Sequence, residues 1–233
     1  MPRTSTRTRV RTPALTSAPA DETRAARIER ARVIRLAQAP GERAAWGRPA
    51  RTVYLWAVVE LLLVTNPWQI SSALRVKALR AFGAEIGHGV IFRPRTRVKF
   101  PWNLHIGNDC WVGEGVWFHN QDHIFIGNDV VISQESFLTT GSHAHRRDMG
   151  LITRPIRIDD GCWVTTRCIV LGGTELGPNV LVRPLTVVSG SIPAGKIVGT
   201  PSAVILGDRF EPHTDPKPHT DPNAHTDATE SDQ

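Results

Sequence analysis

Ile106-Gly107-Asn108-Asp109-Cys110-Trp111-Val112-Gly113-Glu114-Gly115-Val116-Trp117-Phe118 is the stretch on which the fold turns. An aliphatic or aromatic residue returns at every sixth position (Ile106, Val112, Phe118), Gly stands directly behind the first two, and Cys110 and Val116 follow four places on. The same spacing joins Ile86, Phe92, Val98 and Leu104 upstream, and Ile126, Ile132 and Leu138 downstream. After a gap it returns in a single phase at Ile158, Val164, Val170, Leu176, Val182 and Val188. No α-helix has a period of six, and an ordinary strand alternates every two residues. A sustained hexapeptide period marks a parallel β-helix, an all-β solenoid in which each repeat forms one flat side of a coil. A β-sandwich of short strands would show turn signals at irregular spacing instead.

The companion positions carry Thr96, Cys110, Val116, Val130, Ser136, Cys162, Cys168, Thr174, Val180 and Thr186, small or β-branched side chains suited to stacked strands. Gly87, Gly107, Gly113, Gly127 and Gly177 sit one residue past the apolar position, where a corner is expected to need the dihedral freedom of Gly. No coil buries its apolar side alone, so the ends need caps. The segment Trp56–Phe82 and the stretch around Gly199–Leu206 are the two expected caps. The chain divides into a basic, largely disordered arm (1–45), a helical cap (46–84), the solenoid (85–206) with an extruded loop at 143–156, and a disordered acidic tail (207–233).

Charge is unevenly spread along the 233 residues. Residues 1–52 hold twelve Arg against four acidic residues, while residues 207–233 hold two basic against seven acidic ones. The arm lacks the apolar core of a signal peptide, and a charged helix is expected near Asp21–Gln38. No aromatic platform or nucleic-acid module accompanies the arginines, so no nucleic-acid partner is expected. The tail repeats His-Thr-Asp at His213, His219 and His225 among prolines, a low-complexity pattern. Three Cys are too few for a disulfide framework and read as packing residues of a reducing, cytoplasmic compartment. Residues 53–64 form the only strongly apolar run, too short to span a bilayer and interrupted by Glu60. With the basic residues Arg75, Lys77 and Arg80 behind it, this hairpin is either a cap or oligomer contact, or a peripheral contact with the inner membrane surface.

Between Leu138 and Ile158 the period fails, and Thr140-Gly141-Ser142-His143-Ala144-His145-Arg146-Arg147-Asp148 opens the insertion. Solenoids extrude insertions as loops, and such loops carry function. A neutral imidazole is the usual side chain for removing a proton near neutral pH, so His143 and His145 are candidate bases. The block Phe100–Gly113, then Ile132-Ser133-Gln134, then Thr140-Gly141-Ser142-His143 resembles the hexapeptide-repeat acetyltransferases, most of all the exopolysaccharide O-acetyltransferases of the colanic-acid type. Val198-Gly199-Thr200-Pro201-Ser202-Ala203 is similar to that family's closing motif. The resemblance spans about Trp56 to Leu206.

It implies a left-handed parallel β-helix, a homotrimer with acetyl-CoA bound in grooves between subunits, no metal, and a sugar or glycolipid acceptor in extracellular polysaccharide synthesis. It implies His143 as general base, Asn120 on the acceptor side, Trp163 at the groove, and Thr166, Pro184, Ser189 and Gly190 along the pantetheine path. Thr165, Thr166 and Arg183-Pro184 depart from the small residues common there, so the phosphates of CoA could be re-routed to Lys196 or Arg209. Asn120 could instead serve its own corner, and Trp163 could simply pack. The same fold also serves amino acids and antibiotics as acceptors. A γ-type carbonic anhydrase would need three convergent His, which His105, His119, His123, His143 and His145 could supply, and a non-catalytic scaffold would explain a narrowed groove.

Overall fold

The structure is a computed structural model that describes residues 33–201 and residue 204. The acidic tail, most of the basic arm and much of the expected second cap lie outside that range. Of the helix expected near 21–38, only a 3₁₀ turn at Leu36–Gln38 falls within it.

Each hexapeptide makes one short strand and one corner. The first face stacks Glu85–Ile86, Leu104–Ile106, Ile124–Ile126, Ile156–Ile158, Glu175–Leu176 and Ser191–Ile192. The second stacks Ile91–Phe92, Trp111–Val112, Val131–Ile132, Trp163–Val164, Leu181–Val182 and Ile197–Val198. The third stacks Arg97–Val98, Trp117–His119, Phe137–Thr139, Ile169–Leu171 and Val187–Val188. All of these pairings are parallel, and about six turns make a left-handed parallel β-helix, against the usual hand of crossovers.

Register explains the phase slips in the period. Partners lie 20 residues apart in the first turns (Glu85 against His105), 32 apart across the insertion (Ile124 against Ile156), then 18 (Trp163 against Leu181) and finally 16 (Leu181 against Ile197). Eighteen residues are three plain hexapeptides. The two extra residues of the early turns sit at the third corner, as the Pro101–Asn103 turn and the bend at Gln121 and Asp122. A slip of two preserves the inward face, because strand side chains alternate. Leu104 and Ile106 both point inward, with His105 between them pointing out.

The core is a column of Phe92, Val98, Phe118, Ile124, Leu138, Ile156, Val164 and Val170, with Thr96, Ser136, Cys168 and Thr174 filling the companion slots, all fully buried. The packing role of the three cysteines holds. Cys110 and Cys162 are buried against the carbonyls of Gly127 and Gly177, and desolvation pushes both thiols up from their ordinary range. Neutral thiols are poor nucleophiles.

The glycines behind the apolar positions answer to a different need from the one expected. Gly107 and Gly113 have no positive φ; a Cβ on either would sit 2.6 Å from the Gly127 carbonyl oxygen or 2.7 Å from the Gln134 nitrogen in the turn above. Their job is close approach of backbones. The left-handed conformation falls two residues later, at Asp109, Gly115, Asp129 and Asn179, residue types that tolerate it.

Two helices close the lower end: α1 (Ala50–Val59), which runs on into a π turn at Glu60–Val64, and α2 (Ser72–Ala81). The first turn of the solenoid exposes one open strand edge on each face, and the helices supply a side chain to every one. Trp56 Nε1 donates to the Val98 carbonyl at 2.8 Å, and Glu60 accepts from the Val98 N–H at 2.7 Å. Ser72 accepts from the Phe92 N–H at 2.9 Å, and Arg80 donates to the Ile86 and Gly87 carbonyls. An edge that would otherwise recruit another chain is thereby sealed. Buried Arg75 donates to the carbonyls of Val64, Asn66 and Gln69 and so closes the turn between the helices.

Burial pushes the Glu60 carboxyl above its ordinary value, against the opposing pull of the Val98 N–H and Arg97. A raised pKa means that the folded state holds the proton more tightly, so the benefit is full at acid pH and is lost as pH climbs through the raised value. Glu60→Gln keeps an acceptor for Val98 and removes the ionisation. We expect the urea midpoint of the natural protein to fall relative to that of the variant as pH rises above the ordinary carboxyl range, whatever the other titrating groups do to both; a difference that does not change with pH would refute this.

Candidate active site

The insertion forms an antiparallel hairpin that pairs Gly141 with Thr153, Ser142 with Ile152 and His143 with Leu151. Its root is held by the solenoid. Buried Thr140 accepts from the Asp122 N–H at 2.8 Å, its carbonyl accepts from the Arg154 N–H at 2.9 Å, and Gly172 lies against both strand ends. A Cβ on Gly172 would approach the Thr140 and Arg154 carbonyl oxygens to 2.8 and 3.0 Å, so this corner accepts only Gly without moving the hairpin.

His143 is exposed on the inner strand, and its Nδ1 lies 2.9 Å from the Met149 carbonyl oxygen. A carbonyl only accepts, which assigns the proton to Nδ1 and leaves the Nε2 lone pair open. Met149 reaches this position through a left-handed φ of 60°. The ring faces a cleft of about 620 Å³ lined also by Thr140, Ser142, Arg146, Arg147, Arg154, Leu171 and Ser189. Among the described residues, none of these three arginines forms a salt bridge. The cleft is therefore cationic, with the His143 imidazole at its wall. His145 also lines it, with its N–H bonded back to the His143 carbonyl.

The remaining sequence candidates fall into two groups, one at the corner after the third face and one on the second face and the corner that follows it. Ser189 shares the cleft with His143, and Gly190 follows it on the same corner with a φ of 75°. Trp163 lies on the second face, and Thr166 and Pro184 stand at the corner between the second and third faces. Trp163 is half exposed and donates from Nε1 to Ser133 at 2.9 Å, and Thr166 donates to Gln134 at 3.2 Å. Pro184 is exposed one turn further on. Within a single chain these two sets do not meet. Thr165 points inward and donates to the Val182 carbonyl at 2.6 Å, so that departure belongs to the core and not to any channel.

Asn120 takes the corner role. It is fully buried, accepts from the Phe100 N–H at 3.0 Å and donates to the Phe100 carbonyl at 2.6 Å, and it does not line the cleft. Sequence reading did not single out Arg154 or Leu171 as cleft residues, nor Ser133 and Gln134 as partners of Trp163 and Thr166. Their offset of about 30 residues becomes visible only when the length of the interrupted turn is known. His105 bonds Glu85 and His123 at 2.7 and 2.8 Å, and His119 contacts Lys99 and Thr139. Burial first, then the Lys99 charge, holds the His119 imidazole below its ordinary value. Among the described residues no three His, Cys, Asp or Glu are grouped as a metal would require.

No family model matches the chain. It is 36% identical over 166 residues to the protein of Escherichia coli (strain K12) named colanic acid biosynthesis acetyltransferase WcaF, covering 71% of this chain and 91% of that one. The chain belongs to the hexapeptide-repeat acetyltransferases. A galactoside O-acetyltransferase of Lactococcus lactis subsp. lactis (strain IL1403) is 23% identical over 71% of this acetyltransferase and 80% of its own length. Its fold is shared with a hexapeptide-repeat acetyltransferase of Vibrio cholerae O1 biovar eltor, solved with acetyl-CoA, at a TM-score of 0.61 and 22% identity over 74% of this acetyltransferase and all of that chain. No helix among its described residues is long and apolar enough to cross a membrane.

Proposed function

We propose that this acetyltransferase moves acetyl from acetyl-CoA to a hydroxyl of a sugar destined for an extracellular polysaccharide, with His143 as the general base. The observation that carries the reading is the single hydrogen bond from His143 Nδ1 to the Met149 carbonyl, which leaves Nε2 basic and facing the cleft. Nε2 takes the proton of the acceptor hydroxyl as its oxygen attacks the thioester carbonyl. The tetrahedral oxyanion is stabilised by backbone N–H groups near Ser142, and its collapse expels the thiolate, which recovers the proton from His143. Holding both substrates in one cleft removes much of the entropic barrier.

The site is completed by a neighbouring copy in a homotrimer. The corner of one protomer with His143, Ser189 and Gly190 faces the edge of the next with Trp163, Thr166 and Pro184. The separation of these residues onto two different corners of the solenoid, with Trp163 on the second face beside one of them, supports this arrangement. The protein works at the cytoplasmic face of the inner membrane, in peripheral contact with it, where lipid-linked sugars are assembled.

Complementation tests the arrangement. His143→Ala and Thr166→Trp should each be inactive alone. Refolded together, they should regain about a quarter of the natural rate, the share of seams that pair an intact His143 with an intact Thr166 edge. No recovery from a properly mixed oligomer would place the whole site in one chain. If CoA release with acetyl-CoA and a polysaccharide-derived sugar never exceeds background, the transfer reading itself fails.

A further inference from the structure

We infer that the outer face of the capping helices is a lipid-binding surface that seats the protein end-on against an anionic bilayer. This deepens the membrane contact of the preceding reading by assigning it to particular side chains. Tyr54, Leu55, Val58, Leu61 and Leu62 recur at helical spacing along α1 and its π turn, and each is more than half exposed. Trp68 and Ile70, in the turn before α2, are 88% and 86% exposed. The opposite side of the same helices already carries Trp56, Glu60 and Val64 into the solenoid, so the outer stripe is surplus to the core. A contiguous apolar patch of this kind on a soluble domain marks a contact surface.

Charge selects lipid as the occupant. Arg43, Arg48, Arg51 and Lys77 are exposed on these segments, and the one acid between residues 43 and 84, Glu60, is turned inward to the Val98 N–H. The chain entering α1 is itself basic, with twelve Arg against four acidic residues over residues 1–52. A second copy seated on this face would set two cationic rims against each other, whereas anionic headgroups would neutralise them. Tyr54 and Trp68 are of the type that settles at the headgroup level. With no helix among the described residues able to span, the stripe lies in the interface. The patch also lies on the capped end of the solenoid, so copies meeting flank to flank leave it open.

Co-sedimentation of the full-length protein with phosphatidylcholine vesicles, with and without phosphatidylglycerol, tests this. The protein should bind the phosphatidylglycerol vesicles and release them as salt rises. Leu55→Glu/Leu62→Glu and Arg48→Glu/Arg51→Glu should each weaken binding by about tenfold or more. Both variants should keep their melting midpoint and their transfer rate to a soluble acceptor. His143→Ala should bind vesicles like the natural protein, which separates this surface from the transfer chemistry. The inference is overturned if the natural protein ignores these vesicles, or if Leu55→Glu/Leu62→Glu binds them unchanged. A fall in oligomeric mass in that variant would also overturn it, by showing a second copy on the face.

Discussion

His143→Ala should lower kcat/KM for acetyl transfer by about 10²–10⁴-fold, the usual contribution of a positioned general base. The loss should fall on kcat, since the ring acts on a proton in flight and holds neither substrate. Stability should be untouched. His143 is exposed on the hairpin and, among the described residues, makes one side-chain bond, to the Met149 carbonyl, so its removal opens no cavity and strands no buried donor. The hairpin pairing uses backbone groups that Ala retains. His145→Ala is the companion measurement, and it should keep most of the activity, because among the described residues the carbonyl of Met149 holds the ring of His143 and none holds that of His145. Natural turnover in His143→Ala with an intact melting curve would remove His143 from the role.

Phe118→Ala should cost about 3–5 kcal/mol of unfolding free energy, the range for a large aromatic removed from a core. The ring is fully buried midway along the column, 6.4 Å from the ring of Phe92, and Val98 and Leu138 stand in register with it below and above. A cavity here cannot close cheaply. Parallel ladders on three faces hold the turns at fixed spacing, so neighbouring coils are prevented from sliding inward. Urea unfolding at one protein concentration measures the loss, since any oligomer would make the midpoint depend on concentration. A cost below about 1 kcal/mol would mean that the triangular core relaxes far more than its ladders allow.

The period of six was enough to name the solenoid, because Ile106, Val112 and Phe118 can share one interior only if each hexapeptide is one side of a coil. It was enough to mark the insertion too, since a break in a strict repeat needs no coordinates to be seen. Thr140-Gly141-Ser142-His143 at the start of that break pointed to the imidazole that lines the cleft. What lay beyond sequence was everything that depends on turn length and side-chain direction. The glycines of the repeat looked like dihedral hinges, yet Gly107 and Gly113 are needed because the next coil passes within touching distance, a fact set by stacking. Asn120 was open to either an acceptor or its own corner, and only packing shows its amide joined to Phe100. The partners of Trp163 and Thr166 waited on the interrupted turn, whose span of 32 residues brings Ser133 and Gln134 beneath them. A local repeat encodes local geometry; contacts between turns depend on summed lengths, and one insertion of unknown shape is enough to hide them.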